Sequence, residues 1–89
     1  MKSITVKVTD PVGLHARPAT LAVNAASKCK NANVTVEYKG KSVNMKSIMG
    51  VMSLGIPTDS EIIISVDGQD EDLAIEEIEK VLREHKVIG

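Results

Sequence analysis

The sequence predicts a two-layer α+β domain with the element order βαββαβα. Two kinds of periodicity carry this. Apolar and polar residues alternate at Ile4, Val6 and Val8, again at Val34, Val36 and Tyr38, and again at Ile62, Ile64 and Val66, which is the period of a half-buried strand. Ala19, Ala22, Val23, Ala26 and Cys29 recur at helical spacing, as do Ala74, Ile75, Ile78, Val81 and Leu82. Strands that are apolar on one face and helices with one apolar stripe bury each other in two layers.

In chain order, the first strand runs through Ile4 to Val8, and Asp10-Pro11-Val12-Gly13 supplies turn chemistry. The first helix spans about Ala16 to Lys28. Pro18 suits its first turn because proline fixes φ and has no amide proton to lose. Lys28 and Lys30 suit its negative pole. Val34 to Tyr38 forms the second strand. Lys39-Gly40 is a tight turn into a short third strand over Lys41 to Asn44, and so short a link requires antiparallel pairing.

Ser47 has the character of an N-cap and Gly55 that of the residue just past a helix end. Between them, Ile48, Val51, Met52 and Leu54 give a short second helix. Pro57 to Ser60 is a loop, Ile62 to Val66 a fourth strand ended by Asp67-Gly68, and Asp70 the expected cap of the last helix. Glu71 and Asp72 lie at the positive pole of that helix, and Arg83, His85 and Lys86 at its negative pole.

With 89 residues the chain is expected to be one domain, 1–89, around one core. The sequence has no Trp or Phe and only one Tyr, so the core is expected from Ile, Val, Leu, Ala and the four Met. A formal net charge of −1 gives no general attraction to nucleic acid. A single Cys forms no internal disulfide, the N-terminus has no apolar signal region, and no stretch reaches membrane-spanning length. A cytoplasmic, monomeric protein without membrane insertion is the expectation. Two distant His and one Cys make no metal-ligand set, so neither metal nor cofactor is expected.

The chemistry concentrates at Gly13-Leu14-His15-Ala16-Arg17-Pro18. His15 falls at the mouth of the first helix, where unpartnered amides carry partial positive charge and favour anions. A neutral imidazole is a nucleophile, and its attack on a phosphoryl group gives a labile phosphoramidate. Amides at Ala16 and Arg17 and the Arg17 guanidinium are placed to bind phosphoryl oxygens. A surface or capping histidine accounts for the residue type equally well on these grounds. A hydrolase using His15 as general base lacks a visible second catalytic group. An RNA-binding sheet lacks the aromatics for base stacking.

Gly13 to Ala19 resembles the active-site signature of the HPr family, the histidine-containing phosphocarriers of the bacterial phosphoenolpyruvate:sugar phosphotransferase system. Lys46-Ser47-Ile48-Met49-Gly50-Val51-Met52-Ser53-Leu54-Gly55 resembles the regulatory-serine segment of the Firmicutes type. The resemblance implies an open-faced β-sandwich, with a four-stranded antiparallel sheet covered on one face by three helices. It also implies a carrier and no stand-alone enzyme: His15 receives a phosphoryl group on Nδ1 from phosphorylated enzyme I, with Arg17 as its partner, and passes it to the IIA domain of a sugar permease. Ser47 matches the serine modified by HPr kinase/phosphorylase, and the serine-phosphorylated form joins catabolite control protein A. Among relatives, a homologue that lacks the active histidine serves regulation only; this chain keeps His15, which favours the true phosphocarrier, and a regulation-only homologue acting through Ser47 is the alternative.

Docking is expected at Ala16, Thr20, Ile48, Met49 and Met52. The second helix is too short to bury all its apolar residues, so Ile48 and Met49 are expected partly exposed near His15. A phosphate on Ser47 would repel acidic partner groups there. The chain departs from the family pattern at Cys29, where an aromatic residue is expected. It also has one extra residue between the first helix and the second strand, which puts Ser47 one position later than usual.

Overall fold

The computed structural model describes residues 1–89. Seven elements follow in the expected order: β1 (Lys2–Lys7), α1 (Ala16–Ser27), β2 (Ala32–Tyr38), β3 (Lys41–Asn44), α2 (Ile48–Ser53), β4 (Glu61–Gly68) and α3 (Glu71–Glu84). The strands form one antiparallel sheet in the order β1-β4-β2-β3. The last strand of the sequence therefore lies between the first two.

The register explains the two-sided character of the sheet. Ile4, Ile64, Val36 and Val43 stand in one row across all four strands. The neighbouring row is Ser3, Ser65, Thr35 and Asn44, and it faces the other way because side chains alternate along a strand. Ser3 Oγ and Ser65 Oγ lie 2.8 Å apart on that open polar face. All three helices cover the apolar face: α3 lies against β4 and β1, α2 against β3, and α1 against both other helices. The core is a single cluster of 21 buried apolar residues with no buried polar or charged side chain. α1 presents Ala19, Ala22, Ala25 and Ala26 to it, and α3 presents Ile75, Ile78 and Leu82. Small side chains on α1 let it pack closely against α2 and α3.

The hairpin between β2 and β3 turns at Lys39 (φ 50°) and Gly40 (φ 81°). Two consecutive left-handed residues are what a two-residue hairpin of matching twist requires. At the other end of the chain, Val87 and Ile88 are buried and run alongside the end of β1, with the Thr9 amide donating to the Val87 carbonyl at 2.9 Å. No helix is long and apolar enough to cross a membrane.

Two local expectations are corrected. Asp70 occupies the cap position of α3, but its side chain makes no capping bond, because its backbone is left-handed at φ 56°. The acidic first turn pairs instead with the start of β1: Glu71 with the N-terminal ammonium at 3.2 Å, and Asp72 with Lys2 at 3.2 Å. Of the four Met, only Met45 is in the core, and Met1, Met49 and Met52 are exposed. Lys28 is the C-cap residue of α1 and Lys30 follows just beyond it, at the negative pole. Lys46 adds a further ammonium there, donating to the carbonyls of Cys29 and Ala32 at 2.7 Å each.

Candidate functional site

The site begins with a loop pinned on both sides of one exposed residue. Leu14 and Ala19 are fully buried, and Pro18 is buried in the first turn of α1. Between these anchors His15, Ala16 and Arg17 are all exposed. The loop closes on itself through the Gly13 amide donating to the Asp10 carbonyl at 2.9 Å and the Val12 amide donating to the Asp10 carboxylate at 3.0 Å. It closes on the rest of the fold through the Leu14 amide, which donates to the Ile56 carbonyl at 2.9 Å.

His15 is the N-cap residue of α1, with extended backbone angles (φ −128°, ψ 158°). Its side chain makes no capping hydrogen bond, so the imidazole is free to meet a ligand. The 12-residue α1 starts directly behind it and offers first-turn amides. Ala16 has φ 51°, a left-handed conformation that costs a residue with a Cβ about 1–2 kcal/mol. Arg17 forms no ion pair, which leaves its guanidinium available to an incoming anion. The Thr20 hydroxyl donates to the Ala16 carbonyl at 3.1 Å, so these two residues meet on one exposed face.

The second segment is α2. Ser47 is its N-cap, and its Oγ accepts the Gly50 amide at 3.1 Å. Val51 is the one fully buried residue of the helix, and it turns Ile48, Met49 and Met52 outward, with Met49 79% exposed. α2 runs opposite to α1. Its start lies against the end of α1 through Lys46, and its exit lies against the His15 loop through Ile56. Met52 is therefore on the turn that leads toward the His15 loop, while Ile48 and Met49 lie next to Ser47.

Sequence reasoning missed two residues near these segments. Val12, at the tip of the loop before His15, is 58% exposed. An apolar residue set between Pro11 and Gly13 in a turn was the available signal. Lys46 had no local signal, since the carbonyls it holds belong to residues 14 and 17 positions away. Cys29 is half-buried and packed against the core. Burial pushes its thiol up, the nearby Lys46 cation lowers it, and Glu77 raises it further, so nothing there activates a thiolate. A hollow of about 540 Å³ between the Cys29 turn and α3 is lined by Cys29, Leu73 and Glu77 among others and lies at the far end of α1 from His15.

The family model described as the PTS HPr component phosphorylation site matches residues 2–84. The histidine-containing phosphocarrier protein of Mycoplasma is 41% identical over 98% of each chain, with a TM-score of 0.91. The phosphocarrier protein HPr from Bacillus anthracis is 42% identical over 90% of this chain and 94% of its own, with a TM-score of 0.82. Crh, the Bacillus subtilis catabolite repression protein crystallised as a domain-swapped dimer, is 40% identical over 94% of this chain and 95% of its own, with a TM-score of 0.71. The chain belongs to the HPr family of the phosphotransferase system.

Proposed function

We propose that this chain is a cytoplasmic phosphocarrier whose working residue is His15. Its Nδ1 lone pair attacks the phosphorus of phosphorylated enzyme I. The P–N bond to His15 forms as the bond to the donor breaks, and the same exchange in reverse delivers the group to the IIA domain of a sugar permease. The observation that carries this reading is the exposed, unengaged imidazole at the mouth of α1, directly ahead of Arg17. First-turn amides and the guanidinium hold the phosphoryl oxygens by charge-assisted bonds. Ala16, Thr20, Ile48, Met49 and Met52 form the docking face for both partners. The domain, residues 1–89, acts as a monomer and turns over no substrate of its own.

Ser47 is the regulatory position. HPr kinase/phosphorylase adds a phosphate there, and the modified form joins catabolite control protein A. A phosphoserine adds roughly −1.5 to −2 charge beside Ile48 and Met49, on the face that would meet acidic partner groups.

The test is incubation with enzyme I and labelled phosphoenolpyruvate. An acid-labile, base-stable adduct on His15, lost in His15→Ala, is the expected result, and label elsewhere overturns the reading. A second reading, a regulation-only homologue acting through Ser47, is favoured by the likeness to Crh. It predicts Ser47 phosphorylation with no enzyme I-dependent label at all.

A further inference from the structure

The ammonium of Lys46 is a half-buried cation with no carboxylate partner. Two of its three N–H groups point inward, to the carbonyls of Cys29 and Ala32 at 2.7 Å each. Cys29 lies just past the end of α1 and Ala32 opens β2, so the ammonium clips together the two ends of the link between them, whose own closure is the Ala32 amide donating to the Cys29 carbonyl at 3.3 Å. Lys46 is also one peptide bond from Ser47. The Asn44 side chain accepts the Lys46 amide at 2.9 Å and the Asn44 carbonyl accepts the Ser47 amide at 3.1 Å. Ser47 in turn takes the Gly50 amide on Oγ and the Val51 amide on its carbonyl. A helix of six residues is too short to hold itself together by its own hydrogen bonds. Its cap must be fixed from outside: the buried Met45, whose amide donates to the Val34 carbonyl at 2.8 Å, holds the segment to the core and to β2, and Lys46 holds it to the link that follows α1.

We propose that Lys46 is a positioning residue for the modification of Ser47. It pins the 44–47 turn to the end of α1 and so presents the Ser47 hydroxyl on a pre-ordered backbone. This rests on reading Ser47 as a kinase target. His15 lies at the other end of α1, tied to Ile56, and does not depend on the pin. Lys46 thus bears on the regulatory phosphorylation and leaves the carrier reaction alone.

A segment that must be ordered on binding loses affinity more than turnover. Lys46→Met is therefore expected to raise the KM of the chain as a substrate of HPr kinase about tenfold while kcat stays within about twofold. Lys46→Arg keeps a cation with several donors and is expected to restore most of the loss. Lys46→Gln, which can still donate to one carbonyl, falls between them and serves if the Met variant does not fold. Labelling of His15 by enzyme I stays within about twofold in all three, as expected for a change remote from the reacting group.

An independent measurement needs no kinase. In the free protein, amide hydrogen exchange at Ser47, Gly50 and Val51 is expected to quicken about tenfold in Lys46→Met or Lys46→Gln, with α3 amides unchanged. Unchanged exchange at those amides overturns the proposal, as does a fall in His15 labelling that matches the loss at Ser47. Should the unsubstituted chain not be phosphorylated on Ser47, the regulatory reading fails, and the exchange result still decides whether Lys46 holds the segment.

Discussion

The amide of Leu14 donates to the carbonyl of Ile56 at 2.9 Å, and this bond joins the residue before His15 to the segment that leaves α2, three residues past its end. The two functional segments are far apart in sequence, yet the loop of one rests on the exit of the other. Leu14 and Ile56 are both fully buried, so the contact is dry and fixed.

Gly13 makes that approach possible. It has φ 73°, and a Cβ there would overlap the Ile56 carbonyl oxygen and crowd the backbone of Pro57. Gly13→Ala combines left-handed strain with a backbone clash and is expected to cost about 2–4 kcal/mol. Chemical denaturation measures this, and a loss under 1 kcal/mol would show that the 13–14 and 56–57 segments separate easily.

Ala16 sits at φ 51° without a glycine's freedom. Ala16→Gly removes the Cβ penalty and is expected to stabilise the fold by about 0.5–1 kcal/mol after the greater flexibility of glycine in the unfolded chain is counted. A lower melting temperature for this variant would mean that the Ala16 methyl makes contacts worth more than the strain.

Arg17 is exposed and unpaired. Arg17→Ala is expected to slow phosphoryl transfer from enzyme I by about 100- to 1000-fold, the range for removing one preorganised donor from a transition state. Stability should stay within about 0.5 kcal/mol, as for other exposed positions. An unchanged transfer rate would remove the clamp role.

At Ser47 two variants separate structure from charge. Ser47→Ala loses the bond from the Gly50 amide and is expected to destabilise by about 1 kcal/mol, the usual cost of an N-cap. Ser47→Asp keeps an acceptor at the cap and so keeps the fold, while its charge weakens binding to enzyme I severalfold. Equal affinity of Ser47→Asp and the unsubstituted chain would contradict a switch at this surface.

Cys29 gives a pH prediction. Its thiol is raised above the ordinary value of 9.0, first by burial. The folded state therefore holds its proton where the unfolded chain has lost it. The stability this contributes is complete below about pH 9 and is lost as pH rises through the folded value. Alkylation of native Cys29 should show a midpoint above that of the unfolded chain, and a midpoint below it would mean that the Lys46 cation outweighs burial.

Much of this was legible in the residues. Alternation at Ile62, Ile64 and Val66 and helical spacing at Ile75, Ile78 and Leu82 report burial directly, because each pattern exists to keep one face dry. The cap at Ser47 was legible because its bond to the Gly50 amide spans three residues. Asp70 misled because the same residue type suits both an N-cap and a left-handed backbone, and only the path of the chain between β4 and α3 chooses. Composition alone put all four Met in the core, while the shortness of α2 already pointed Met49 outward, because methionine serves core and contact surface alike.

The sequence by itself determined the elements, their order and the place of His15 at the mouth of a helix, since each follows from contacts within a few residues of chain. Only the tertiary structure decided that β4 pairs between β1 and β2, that α2 runs opposite to α1, and that Lys46 and Ile56 tie its two ends to that helix. Those relations join residues from 14 to more than 40 positions apart, and long-range pairing is set by how whole faces pack, which no local pattern records.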